Sequence, residues 1–121
     1  MKLTADKSLN DKAAHEFHIA DSSIAAVAEM FKKTMTEQKY KLERGSDIEG
    51  VYGLGNAVML MFLGAFAKRF EFSFSVKEQE GKVVLTLSKN KSASMMGGVI
   101  GMRKMGNEYD RLVELIKTSV K

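Results

Sequence analysis

The chain has 121 residues, of which 45% are apolar and 28% are charged, and its net charge is +4. Because a domain typically takes about 100–200 residues, this length fits one domain. The composition is near that of soluble globular proteins and argues against a collagenous or disordered chain. The absence of cysteine excludes a disulfide scaffold, a thiolate metal site and a cysteine nucleophile.

The N-terminus gives no sign of a targeting segment, because no apolar run follows its first charged residues. The most apolar stretch, residues 57–67, would form a helix of about 16 Å, roughly half the thickness of a bilayer core. We therefore expect a cytoplasmic protein, with peripheral attachment to a membrane surface as the second expectation.

Residues 1–20 are polar and weakly patterned. We expect them to be a weakly ordered N-terminal segment, followed by a single α+β domain over residues 21–121. Within this segment, residues 16–19 have a short strand pattern that puts Phe17 and Ile19 on one face. Asp and Ser residues at 21–23 then mark a helix start, and apolar residues at spacings of three and four predict a helix over residues 22–38.

Alternating apolar and polar residues predict strands near residues 40–43 and 48–54. Residues 56–67 contain many helix formers, which favours a short helix over the alternative of a buried strand. The clearest strand pattern covers residues 70–76, and a return strand follows over residues 83–87. Residues 89–106 are predicted as a loop, with Asn107 capping a closing helix.

These elements predict a two-layer α+β fold. We expect a roughly four-stranded antiparallel sheet with N- and C-terminal helices, and a short third helix, packed on one face. Phe70, Phe72 and Phe74 lie on one face of their strand and are expected in the core. An RNA-stacking strand would need these rings exposed, which would leave Glu and Ser to form the core.

The positive charge lies in the second half of the chain. Residues 61–121 contain eleven Lys and Arg against six Asp and Glu, whereas residues 1–60 contain eight against nine. Six of the nine methionines lie in two glycine-containing stretches, residues 57–66 and 95–105. Methionine-rich surfaces adapt to varied apolar partners, and neighbouring cations can hold anionic headgroups.

We predict a non-catalytic binding domain that uses the apolar segments 57–66 and 93–102, with flanking Lys and Arg, to contact an apolar or amphiphilic partner. That partner is an anionic membrane surface, a lipid-like ligand or a protein. The predicted binding residues are Lys89, Lys91, Met95, Met96, Val99, Ile100, Met102, Arg103 and Lys104. One alternative is nucleic-acid binding through the basic stretch 82–104, although its charge is modest for that role. Another is a structural or homodimerising domain with no ligand.

Other patterns favour neither catalysis nor a cofactor. Asp11, His15 and His18 would share a helix face, yet the zincin spacing His-Glu-x-x-His is one residue short. The glycines of residues 97–101 lack the spacing of a dinucleotide or Walker loop. A catalytic triad needs a histidine beside a nucleophile, and both histidines fall in the segment expected to be weakly ordered. We therefore expect no catalytic residue, metal or cofactor.

Overall fold

A computed structural model describes residues 1–9, 14–54, 71–89 and 98–120, with side chains throughout these ranges except at residue 54 and over residues 98–105. Six strands and two helices occupy the described ranges. The strands are β1 (Lys2–Leu9), β2 (Ala14–Ala20), β3 (Tyr40–Gly45), β4 (Glu49–Leu54), β5 (Glu71–Gln79) and β6 (Lys82–Lys89). The helices are α1 (Ile24–Glu37) and α2 (Gly98–Val120).

The strands form one open antiparallel sheet in the order β1-β2-β6-β5-β4-β3. The predicted four-stranded sheet is therefore wrong, because the N-terminal residues supply two further strands. In place of a weakly ordered segment, β1 and β2 form a hairpin. β2 pairs with β6 in a register that sets Phe17 beside Leu85 and buries Phe17 completely. The free energy of burying this ring favours an ordered β2.

One face of the sheet packs against both helices. Strand residues alternate between the two faces, so every second side chain of β2, β5 and β6 reaches this layer. The core includes Phe17, Ile19, Phe72, Phe74, Val76, Val83, Leu85 and Leu87 from these strands, and Phe31, Met35, Tyr109, Leu112 and Ile116 from the helices. The fold is thus α+β, with both described helices on one side of the sheet.

Helix α1 confirms the prediction of a helix over residues 22–38. The Ser23 hydroxyl accepts a hydrogen bond from the backbone N–H of Ala26 at 3.1 Å, which satisfies one of the free donors of the first turn. Val27, Phe31 and Met35 recur at spacings of four and are fully buried. The apolar stripe read from the sequence is therefore the face that packs on the sheet.

The hairpins β3–β4 and β5–β6 also confirm the sequence prediction. Phe72 and Phe74 are buried, so the RNA-stacking arrangement of these rings is excluded. Glu80 and Gly81 connect β5 to β6 and both have positive φ, 51° and 79°. Two left-handed residues match the twist of a tight hairpin. Phe70 lies outside the described residues.

The closing helix begins earlier than the sequence predicts. It starts at Gly98 rather than at Asn107, so the second half of the predicted loop is helical. Methionine, arginine and lysine at 102–105 are good helix formers, whereas glycine inside a helix costs only about 1 kcal/mol. The favourable residues outweigh Gly101 and Gly106 once the rest of α2 is fixed by packing.

Both edge strands are irregular. β1 changes register against β2 between Leu3 and Ala5, and β3 changes register against β4 between Leu42 and Arg44. Each irregularity places an additional residue in the outer strand, which bends that strand and increases its twist. The sheet therefore ends in two bent edges.

Candidate functional site

The strand register brings the chain positions that flank the two apolar segments to one end of the sheet. Leu54 is the last residue of β4 and follows Gly53, which pairs with Glu71, the first residue of β5. Phe72 in turn pairs with Lys89, the last residue of β6. We call this the Lys89 end of the sheet. Segment 57–66 lies between Leu54 and Glu71 in the sequence, and segment 93–102 follows Lys89.

The predicted binding residues fall into three groups. Lys89 is half-buried in β6. Lys91, Met95, Met96 and all of segment 57–66 lie outside the described residues. Val99, Ile100, Met102, Arg103 and Lys104 belong to the first turns of α2, so the backbone there is helical and not the predicted loop.

Tyr109 fixes α2 against the Lys89 end. Its hydroxyl donates a hydrogen bond of 3.2 Å to the carbonyl oxygen of Leu87, and the Lys89 ammonium lies 5.0 Å from the centre of its ring. Such a cation–π contact contributes about 0.5–1 kcal/mol at an exposed site. Burial is the main cause that raises the pKa of the Tyr109 phenol. Further along α2, the Lys117 ammonium contacts Asp6. Asp6 pairs with Phe17, the middle residue of β2.

The direction of α2 follows from these contacts. From Tyr109 to Lys117 the helix moves away from the Lys89 end, so the residues before Tyr109 continue toward that end. At 1.5 Å per residue, Gly98 lies about 16 Å along the helix axis from Tyr109. The start of α2 is thereby set near the end of the sheet where the apolar segments attach.

A second anchor joins α2 to the start of β3. The buried Tyr40 hydroxyl donates to the Glu108 carboxylate at 2.7 Å, and Arg111 binds the same carboxylate at 2.7 Å and 2.9 Å. Burial first, and the Glu108 charge second, raise the pKa of the Tyr40 phenol. The hydrogen bond from Arg111 to Glu108 is the main cause that raises the pKa of the guanidinium. This network fixes the position of α2 beside the start of β3.

The acidic residues that border the two segments are already paired. Glu71 accepts a hydrogen bond of 2.9 Å from Arg44, and Glu108 is held by Arg111 and Tyr40. In the sequence, residues 55–70 and 89–107 contain six Lys and Arg and no Asp or Glu. The charge carried by these two stretches of the sequence is therefore wholly positive.

A separate cluster of polar side chains lies in the N-terminal hairpin. Asp6, Ser8 and His15 sit on the helix-facing side, where Ser8 and His15 are direct cross-strand partners. The His15 Nε2 atom lies 2.9 Å from the Asp6 carboxylate, and its Nδ1 atom lies 3.4 Å from the Ser8 hydroxyl. The Lys117 ammonium approaches the same Asp6 oxygen at 3.5 Å.

The opposite histidine has a different environment. His18 lies on the sheet face away from the helices, and its Nε2 atom is 3.2 Å from Glu16. Across the described residues, no group of three His, Asp or Glu side chains is arranged to hold a metal ion. Asp11 lies outside these residues. The predicted face shared by His15 and His18 does not form, because successive strand positions put the two rings on opposite sides of β2.

The sheet face away from the helices is polar at its centre. Ser73, Ser75, Thr86 and Ser88 border a shallow depression of about 370 Å³. These residues form cross-strand pairs, Ser73 with Ser88 and Ser75 with Thr86. Small hydroxyl side chains of this kind are typical of a solvated sheet face.

Neither described helix has the length and apolar character needed to cross a bilayer. Comparison with protein-family models gives no match, and comparison with curated proteins gives no significant match.

The contacts of Asp6 and Ser8 with His15 were not predicted from the sequence. Both residues precede the strand pattern of residues 16–19, and neither has an apolar neighbour at strand spacing. The available signal was His15 itself, which continues the alternation of Phe17 and Ile19 toward the N-terminus. Extending that strand by two residues places a histidine on the core face, where a buried polar ring requires hydrogen-bonding partners.

Proposed function

We propose that the protein contains a binding surface that docks on an anionic membrane through the Lys89 end of its sheet. The observation that carries the proposal is the strand register, which brings Leu54, Glu71 and Lys89 to one end. The two Met- and Gly-rich segments are attached there. An apolar insert and a set of cations at one end are the two elements that bind a membrane surface together.

The charges support an anionic surface over a neutral one. Each Lys or Arg near an anionic membrane contributes about 1 kcal/mol, so the six cations that flank the two segments suffice for binding when most of them reach the headgroups. Glu71 and Glu108 oppose this attraction only weakly, because Arg44 and Arg111 already neutralise them. The apolar residues would add a part of the binding that salt does not screen.

The test is flotation with neutral and anionic vesicles at low and high salt. The variant Ile100→Asp introduces a negative charge at the start of α2. The matched control, Ile48→Asp, makes the same change at an exposed isoleucine in the β3–β4 turn, at the opposite end of the sheet. Circular dichroism of each variant establishes that the fold is retained.

We expect the native protein and Ile48→Asp to float with anionic vesicles and to remain partly bound at moderate salt, whereas Ile100→Asp loses binding. The proposal is refuted if the native protein never floats, or if the two variants bind equally. Complete loss of native binding at moderate salt would refute the apolar insert. Binding to nucleic acid with a steep salt dependence and none to vesicles would favour the nucleic-acid alternative.

A further inference from the structure

We propose that Ser8 is a nucleophile activated by His15, and that it accepts acyl groups from activated esters. This inference concerns the N-terminal hairpin and does not depend on the proposed membrane binding. A catalytic triad is not expected from the sequence, because both histidines fall in a segment predicted to be weakly ordered. In the structure that segment is a hairpin of the sheet, and the objection no longer holds.

The hydrogen bonds determine which nitrogen of His15 carries the proton. An ionised Asp6 carboxylate can only accept, so the His15 Nε2 atom at 2.9 Å must be the donor. In the neutral ring the Nδ1 atom then has a free lone pair, and the Ser8 hydroxyl at 3.4 Å donates to it. Nucleophile, base and orienting carboxylate thus form the same chain of contacts as in serine hydrolases, with the roles of the two ring nitrogens exchanged. The separation of 3.4 Å is long for a hydrogen bond, and catalytic contacts often tighten only when a substrate binds.

The base is buried, whereas the nucleophile is exposed. His15 is 7% exposed and its ring packs 4.8 Å from that of Phe17, so its orientation is fixed. Ser8 is exposed and open to a substrate. Lys117 of α2 lies 3.5 Å from the Asp6 carboxylate, so the hairpin and this helix are in contact beside the cluster.

The reaction is an acyl transfer in two balanced steps. The Ser8 Oγ atom attacks the ester carbonyl carbon while His15 Nδ1 takes the hydroxyl proton, and the C–O bond to the leaving alcohol breaks as the alcohol takes that proton from His15. Water then attacks the acyl-serine ester, with His15 again removing and returning the proton, and a carboxylic acid leaves. Among the described strands β1 is at the edge of the sheet, so its outward backbone N–H groups are free to donate to the developing oxyanion.

The experiment measures covalent labelling of the full chain by a fluorophosphonate probe, with mass spectrometry to locate the label. Hydrolysis of p-nitrophenyl acetate is followed in parallel. Ser8→Ala removes the nucleophile, and His15→Gln removes the base. His18→Gln is the matched control, because it changes the histidine on the opposite sheet face.

Asp6→Asn tests the positioning role. An amide in this place donates to Nε2, so the proton moves to Nδ1 and the base is lost while the shape of the side chain is kept. Lys117→Gln is its control, because it breaks the same ion pair and leaves the carboxylate. Nitrogen-15 NMR of the His15 ring reports the tautomer directly, which a merely structural role of Asp6 would not change.

We expect labelling at Ser8 in the native protein and at least a ~100-fold lower rate in His15→Gln and Asp6→Asn, the usual contribution of a general base. His18→Gln and Lys117→Gln should label at close to the native rate. Labelling that is absent from Ser8, or that is equally fast in His15→Gln, overturns the proposal. The same holds if Asp6→Asn changes the tautomer and leaves the rate unchanged. Vesicle binding, which tests the other site, is expected to be the same in all five variants.

Discussion

Replacement of Tyr40 by Phe tests the network that holds α2 in place. The change removes the hydroxyl that donates to Glu108 at 2.7 Å and leaves the buried ring. A hydrogen bond to a charged group contributes about 1.5–3 kcal/mol, so we expect Tyr40→Phe to lower the free energy of unfolding by about 2 kcal/mol at pH 7. Glu108 keeps its contacts to Arg111, which limits the cost.

The effect of the same substitution on stability should be smaller at high pH. Burial raises the pKa of the Tyr40 phenol above its ordinary value of 10 in the folded state. The stability associated with this group is therefore complete below pH 10 and is lost as pH rises above it, because only the unfolded chain then releases the proton. At pH 11 this loss is about 1.4 kcal/mol, since one pH unit corresponds to 1.36 kcal/mol. The advantage of the native protein over Tyr40→Phe should shrink to about 0.6 kcal/mol.

Urea unfolding followed by circular dichroism at pH 7, 9, 10 and 11 measures this difference. Any other group that titrates in this pH range affects both proteins alike, so its contribution cancels in the difference. Tyr109→Phe is the control: its hydroxyl donates to a neutral carbonyl, so we expect a smaller loss at pH 7, of about 1 kcal/mol. The reasoning is refuted if the difference between native protein and Tyr40→Phe is the same at pH 7 and pH 11.

Three further predictions concern stability and are measured by urea unfolding. Ser23→Ala should lower the free energy of unfolding by about 1 kcal/mol, because a backbone donor of α1 loses its acceptor. The neighbouring Ser22→Ala should change stability little, and equal effects of the two substitutions would contradict the role of Ser23 as the helix cap. Gly81→Ala should lower stability by about 1–2 kcal/mol, because alanine is strained in the left-handed backbone conformation there. Gly45→Ala should lower it clearly more, because the new Cβ atom at residue 45 also meets a backbone carbonyl. A smaller loss at Gly45 would contradict the turn geometry. Phe31→Ala should cost about 3–5 kcal/mol, since its ring packs on two other aromatic rings in the core, and a loss below 1 kcal/mol would contradict that packing.

Elements with a strong apolar period could be predicted from the sequence. Phe31 and Met35 mark the buried stripe of α1, and Phe72 and Phe74 mark the inner face of β5, so the pattern alone is sufficient there. β1 could not be predicted in this way, because its side chains are mostly exposed and its strand is specified by backbone pairing with β2. Backbone pairing of this kind cannot be predicted from the alternation of apolar and polar side chains.

The two candidate sites also differ in how far they can be predicted from the sequence. The Lys89 end is suggested by composition, since methionine, glycine and lysine accumulate in the sequence near it, and the structure adds only the register that joins the segments' attachment points. The cluster of Asp6, Ser8 and His15 has no compositional signal. It depends on the hairpin that sets residue 8 opposite residue 15, and it becomes visible only when β1 is placed at the edge of the sheet.

The irregular edges of the sheet have a consequence for self-association. A flat outer strand offers a row of free N–H and C=O groups on which the strand of another molecule can extend the sheet, and this is a common route to fibrils. The additional residues near Leu3 and Leu42 interrupt that row on both sides, and Lys2 and Lys7 on β1 add charge to one of them. The sheet is protected at each border, so a dimer of this chain would have to form through another surface.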